Sequence, residues 1–225
     1  MNTNLQEAYI IHSKAYKETS MLVTFFCRSD GKVTVVAKGS KRPKSKFSGN
    51  LEPFQKTQID FVGKSTLKTL ITCDAVGPFN EFCTRVNLYS AFYINELINT
   101  MVKSNEDPEG LFDLYEDCMQ KLYSSTETEI ILRSFELDLL RLLGYEINFS
   151  SDYISGGDID SDSSYSYKAQ MGFTKSNGGY KGEDLIEIKK RNFNHNNLLI
   201  AKNITKQTLE FYFEELNVNS RSFFK

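Results

Sequence analysis

The chain has 225 residues, 40% hydrophobic and 25% charged, with a formal net charge of −2. This is the make-up of a globular protein large enough for a real core, and it excludes a disordered polyelectrolyte or a fibrous repeat. The near-neutral total hides a division: residues 1–80 hold twelve Lys/Arg against six Asp/Glu, net +6, whereas residues 81–225 hold 15 against 23, net −8. Such an asymmetry predicts two bodies, one of them facing an anionic partner.

No apolar run approaches the roughly 18 residues a membrane span needs, and MNTNLQEAYIIHSKAYKE has neither a signal-peptide core nor a cleavage site. The four cysteines, Cys27, Cys73, Cys83 and Cys118, are scattered without a C-x-x-C pair, and there are only two histidines. Buried free thiols in a reducing compartment are expected, and no metal or cofactor.

In chain order the first part is β. Ala8–His12 is one expected strand and Met21–Cys27 a second. After the turn Ser29-Asp30-Gly31, the stretch Lys32–Lys38 alternates with period two and completes a hairpin. Gln55–Val62 and Leu67–Cys73 are two more, joined around Gly63-Lys64-Ser65. Five short β-branched strands suit a small closed barrel of the OB type, although an SH3-like barrel has a similar strand count.

Between the third and fourth strands stands Lys38-Gly39-Ser40-Lys41-Arg42-Pro43-Lys44-Ser45-Lys46. It places five cations (Lys38, Lys41, Arg42, Lys44 and Lys46) in nine residues with no carboxylate between them. Gly39 and Pro43 oppose a helix there, and the repulsion among these cations calls for a polyanion or for plain solvent. Phe25, Phe26 and Tyr16 lie on or beside neighbouring strands as candidates for stacking on bases. Successive strand residues point to opposite faces, so at least one of Phe25 and Phe26 belongs to the core.

From residue 80 the period becomes helical. Val86–Met101 carries Leu88, Ala91, Phe92, Ile94, Leu97 and Ile98 on one broad face. Pro108 suits the first turn of the next helix, which runs through Leu111, Leu114, Cys118 and Leu122. Glu127–Leu143 is richly apolar and stops at Gly144, an expected C′ glycine. Residues 150–182 are rich in Ser, Gly and Asp, with a short strand candidate at Tyr165–Phe173, and read as a long loop or small hairpin. Helices at about 183–191 and 196–215 follow. The expected class is α+β: a five-stranded OB-fold barrel over 1–79, then a helical domain over 80–225 with an irregular insertion at about 150–182.

No catalytic set emerges. Gly63-Lys64-Ser65 lacks the earlier glycine of a phosphate-binding loop, since Gln58 stands there, and it joins strands rather than opening a helix. Asp158, Asp160 and Asp162 resemble the start of a calcium loop, but Ser163 and Ala169 stand where glycine and glutamate are needed.

The ordered set of motifs resembles the RecO family of bacterial recombination mediators. It comprises Ala8–His12 with Tyr16-Lys17-Glu18-Thr19-Ser20, Gly31-Lys32-Val33, Val36-Ala37-Lys38-Gly39, Leu51-Glu52-Pro53-Phe54, Tyr93-Ile94-Asn95-Glu96-Leu97 and Leu111–Tyr115. Leu67-Lys68-Thr69-Leu70, Arg133-Ser134-Phe135-Glu136-Leu137, Leu142–Tyr145 and the closing Ser220–Phe224 complete it. The resemblance implies an OB-fold followed by a helical domain, and a cytoplasmic, nucleoid-associated protein without catalytic chemistry. It implies binding of single- and double-stranded DNA, annealing of complementary strands, and loading of RecA with RecR onto DNA coated by single-strand-binding protein (SSB). Lys38, Lys41, Arg42, Lys44 and Lys46 would then hold phosphates. Arg133 is the candidate for the carboxylate of the SSB tail, with a helix-surface salt bridge as its alternative role. Many members carry a four-cysteine zinc site after the Gly-Tyr motif; residues 150–182 contain no cysteine, which implies the branch without zinc. Two rival readings are an adaptor docking acidic protein surfaces and a metal-dependent nuclease using Asp158, Asp160 and Asp162.

Overall fold

The computed structural model describes residues 5–65, 67–77, 81–104, 106 and 108–213. Two compact units divide the chain, one reaching Thr126 and the other beginning at Glu127.

The first unit begins with β1 (Gln6–Tyr16), β2 (Ser20–Cys27), β3 (Gly31–Ala37), β4 (Lys56–Val62) and β5 (Lys68–Ala75). They close in the order β1-β2-β3-β5-β4, with β4 returning to β1. The contact between β3 and β5 is parallel, Val35 opposite Lys68 and Val36 opposite Thr69. That crossover is the OB-fold order and rules out an SH3-like meander, a choice strand pattern alone leaves open. Alternation explains the core: Val33, Val35 and Ala37 of β3 point inward with Ala8, Ile10, Val23, Phe25 and Ile59.

β1 runs four residues past the expected end at His12. A register shift between Ile10 and His12 precedes a second half that pairs with β2 alone, and His12–Ala15 are exposed. With neither side facing a core, this half carries no hydrophobic alternation to mark it as strand.

Phe25 and Phe26 are both buried, for different reasons. Phe25 fills the barrel, while Phe26 points outward into an aromatic cluster with Tyr9, Phe112 and Tyr115, at ring-centroid separations of 5.1–5.8 Å. Phe112 and Tyr115 come from α2 (Leu111–Ser124), which follows α1 (Arg85–Met101). The first unit therefore includes both helices with the barrel. Thr84 caps α1 by accepting the Asn87 N–H at 3.1 Å. The buried Asn87 amide then donates to the carbonyls of Leu122 and Ser125, satisfying orphan acceptors at the end of α2. Pro108 lies before α2 rather than in its first turn: Gly110, at φ 80°, occupies the N-cap and delays helical geometry until Leu111.

In the second unit α3 (Thr128–Leu142) ends as expected at Gly144. There the Tyr145 N–H reaches the Leu140 carbonyl and the Gly144 N–H that of Arg141, a Schellman closure with Gly144 at φ 82°. The stretch Tyr165–Phe173 is not one strand: β6 (Ser164–Lys168) turns into β7 (Gly172–Ser176), and β8 (Tyr180–Lys181) pairs on the other side of β6. Asp152 organises the preceding loop, accepting N–H donors from Ile154, Ser155 and Lys175. α4 (Gly182–Lys189) and α5 (His195–Tyr212) complete the unit. The closing motif at 220–224 lies outside the described residues.

Candidate nucleic-acid interface

The basic run occupies the start of the β3–β4 connection. Lys38, Lys41, Arg42, Lys44 and Lys46 are all exposed. The loop is built rather than slack. Successive turns link Arg42 N–H to the Gly39 carbonyl, Ser45 N–H to Arg42 and Ser48 N–H to Ser45. Phe47, 3% exposed, drives into the barrel core and roots it. The Asn50 amide donates to the Cys73 carbonyl on β5 at 2.8 Å, and the Cys73 thiol returns a bond to the Asn50 carbonyl. Burial pushes that thiol up to about 12, so it stays protonated. Gly39 (φ 69°) and Lys44 (φ 60°) supply the left-handed steps.

The loop is also tied to the β1–β2 turn, where the Lys41 N–H donates to the Thr19 carbonyl at 3.0 Å and the Gly39 N–H to Ser20 Oγ. This brings Lys14 and Lys17, both exposed, to the same end of the barrel as the run. Sequence separation of more than 20 residues concealed that juxtaposition.

Charge pairing divides the cations of this unit into two classes. Arg28 and Lys56 are held by Glu7, Asp113 and Glu116 at 2.6–2.9 Å. By contrast, no salt bridge among the described residues engages Lys14, Lys17, Lys38, Lys41, Arg42 or Lys44. Lys46 differs slightly: its ammonium donates to the Ile71 carbonyl at 2.7 Å and lies 5.0 Å from the Phe47 ring. The unpaired group is a surface where repulsion is left uncompensated by the protein itself.

Arg133, on α3 of the second unit, is 7% exposed. Its Nη2 donates to Glu136 at 2.7 Å, and the other Glu136 oxygen accepts from Thr205 Oγ1 on α5. The guanidinium therefore has a carboxylate of its own, inside the unit rather than on a helix surface. Asp160 is likewise engaged, accepting from the Asp162 N–H and the Ser163 hydroxyl. Ser163 does most to hold its carboxyl below the usual range. Among the described residues no group of three or more His, Cys, Asp or Glu converges as a metal site would require, and no helix is long and apolar enough to cross a membrane. Cys27, Cys73 and Cys118 are buried free thiols as expected; Cys83 is exposed. Gly63-Lys64-Ser65 lies in the β4–β5 hairpin connection.

Comparison with known proteins converges on one family. Residues 1–79 match the family described as recombination protein O N terminal, and residues 84–222 match recombination protein O C terminal. The chain is 32% identical to DNA repair protein RecO of Psychromonas ingrahamii, over 100% of this chain and 99% of the relative. It is 33% identical to that of Haemophilus influenzae, over 100% and 97%. Against that of Pseudoalteromonas atlantica it is 34% identical, over 96% and 92%. With both halves matched and relatives of its own length at about one-third identity, the chain belongs to the RecO family.

Proposed function

We propose that this protein acts in DNA repair and recombination as a non-catalytic mediator. It binds single- and double-stranded DNA through Lys38, Lys41, Arg42, Lys44 and Lys46, anneals complementary strands and, with RecR, helps load RecA onto SSB-coated DNA. The observation that carries this reading is the cluster of exposed cations on a rooted loop of an OB barrel, none of them in a salt bridge among the described residues, whereas Arg28 and Lys56 of the same barrel are neutralised. A rooted backbone loses little entropy on binding, so the ordering cost of holding phosphates falls mainly on the Lys and Arg side chains. Lys46 contributes least, because its ammonium must leave the Ile71 carbonyl.

The helical part is proposed to take the SSB tail. Arg133 serves there only by exchanging Glu136 for the tail carboxylate, and that makes it the weaker element of the proposal. The test is annealing of SSB-coated complementary strands with and without RecR. Acceleration by this protein supports a mediator; failure to accelerate, while acidic protein surfaces still bind, supports the adaptor reading.

A further inference from the structure

In the second unit β7 and β8 lie on opposite sides of β6. Asn177-Gly178-Gly179 therefore carries the chain over the start of β6, from Ser176 opposite Ser164 to Tyr180 opposite Tyr165. At the far end of this crossing Gly179 (φ 111°) lies so near the Tyr165 carbonyl that a Cβ on it would collide. β8 then runs directly into α4 at Gly182, which presses on the Asp160 carbonyl. The near end is open. Asn177 and Gly178 are exposed, and the Ser176 hydroxyl donates to the Gly178 carbonyl, folding the chain back around Asn177. Among the described residues no hydrogen bond engages the Asn177 carboxamide or the Gly178 N–H.

Asn177-Gly178 is also the one Asn-Gly step in the sequence. An amide nitrogen that follows asparagine can attack the side-chain carbonyl carbon and close a five-membered ring. A Cβ on the following residue obstructs that approach, and glycine has none. Asn197 shows the protected case: its carboxamide donates to the Asn192 carbonyl at 2.8 Å and accepts the Asn194 N–H at 2.7 Å, and Leu198 follows it.

We propose that Asn177 is a site of spontaneous deamidation, closing on the Gly178 nitrogen to a succinimide that water opens. In the first step the bond from Gly178 N to Asn177 Cγ forms and the Cγ–Nδ2 bond breaks. The Gly178 amide proton leaves with the side-chain nitrogen as ammonia. Water then adds at either imide carbonyl. Opening at Cγ gives aspartate; opening at the main-chain carbonyl gives isoaspartate, whose backbone runs through Cβ and Cγ. Both products add a negative charge to the crossing. Isoaspartate also lengthens it by about 1.5 Å, one carbon–carbon bond. Gly179 has no room to absorb that shift, so β8 loses its pairing with β6 and the first turn of α4 loosens with it. The modification is independent of the DNA-binding reading.

The test incubates the full chain in alkaline buffer and follows isoaspartate by transfer of a labelled methyl group from S-adenosylmethionine, catalysed by a protein isoaspartyl methyltransferase. Trypsin, cutting after Lys175 and Lys181, isolates the crossing for mass spectrometry. Label accumulates with time in residues 176–181 of the unaltered chain and is lost in Gly178→Ala. The fold accepts that variant, because nothing lies within 4 Å of an added Cβ there. Asn177→Gln loses the label too, and both variants keep the circular dichroism spectrum. The aged unaltered chain exchanges amide hydrogens of Tyr180–Gly182 faster than Gly178→Ala aged beside it. Label that persists in Gly178→Ala, or that maps to another asparagine, overturns the inference. So does its failure to appear while the free peptide 172–181 converts.

Discussion

The Arg28 guanidinium, just past the end of β2, donates through Nη2 to Glu116 on α2 at 2.9 Å. Glu116 also accepts from the Tyr9 hydroxyl at 3.0 Å and faces Lys56 at 2.8 Å, while Arg28 lies 4.3 Å from the Phe112 ring centroid. Barrel and helix are thus joined by a charged rim around the aromatic cluster. A double-mutant cycle of Arg28→Ala with Glu116→Gln, followed by urea unfolding, should show a coupling of about 1 kcal/mol. The Arg28 side chain is 38% exposed, so salt should reduce that coupling.

The same rim predicts a pH dependence. Lys56 hydrogen-bonding to Glu7, with Arg28 beside it, holds the Glu7 carboxyl below its usual value against the opposing effect of burial. A carboxyl with its folded value depressed stabilises fully above its unfolded pKa, about 4.3, and loses that contribution as pH falls through the folded value. Urea midpoints should therefore hold from pH 7 to about 5 and fall below about 4.3, with a shallower fall in Glu7→Gln. Burial pulls Lys56 down, but its bonds to Glu116 and Glu7 outweigh this and raise it. Its contribution is complete below about 10.4 and is lost as pH rises through the higher folded value.

Phe26 faces outward from the barrel yet is fully buried beneath Phe112 and Tyr115. Phe26→Ala should cost about 3–5 kcal/mol in equilibrium unfolding, as a core truncation does. A cost below about 1 kcal/mol would mean that α2 does not cover this face in solution.

Gly182 opens α4 where no side chain fits: a Cβ there would lie 1.9 Å from the Asp160 carbonyl oxygen. Gly182→Ala should destabilise the protein by about 2–3 kcal/mol through backbone displacement. At Gly157 the nearest atom to an added Cβ is Ser155 Oγ at 3.5 Å, so Gly157→Ala should change stability by less than about 0.5 kcal/mol. Thermal melts of the two variants make the comparison.

The parts of this fold that were legible in the sequence are those governed by local pattern. Val33, Val35 and Ala37 alternate, and Gly144 ends α3, because a strand face and a C′ position each impose a residue type within a few positions. The parallel contact of Val36 with Thr69 was not legible, since nothing in two β-branched runs states which edge closes on which. The outer half of β1 escaped because it packs against nothing. Tyr165–Phe173 read as one strand because the turn at Ala169–Met171 holds neither Gly nor Pro. In the candidate site the cations themselves were plain. Their freedom was not, because whether a lysine is neutralised depends on partners far away in sequence, as Arg28 shows with Asp113 and Glu116. Arg133 illustrates the opposite case: Glu136, one turn along, already occupies it.

In the proposed mode of action the β3–β4 loop holds DNA by the phosphate backbone. Its most direct test is duplex affinity against salt concentration for the unaltered chain and for Lys41→Glu/Arg42→Glu/Lys44→Glu. Four or five phosphate contacts predict a slope of about −3.6 to −4.5 for the unaltered chain. The triple variant, with an unchanged circular dichroism spectrum, should lose affinity by orders of magnitude and most of that slope. A folded triple variant that binds duplex with the parent's affinity and slope would contradict the account.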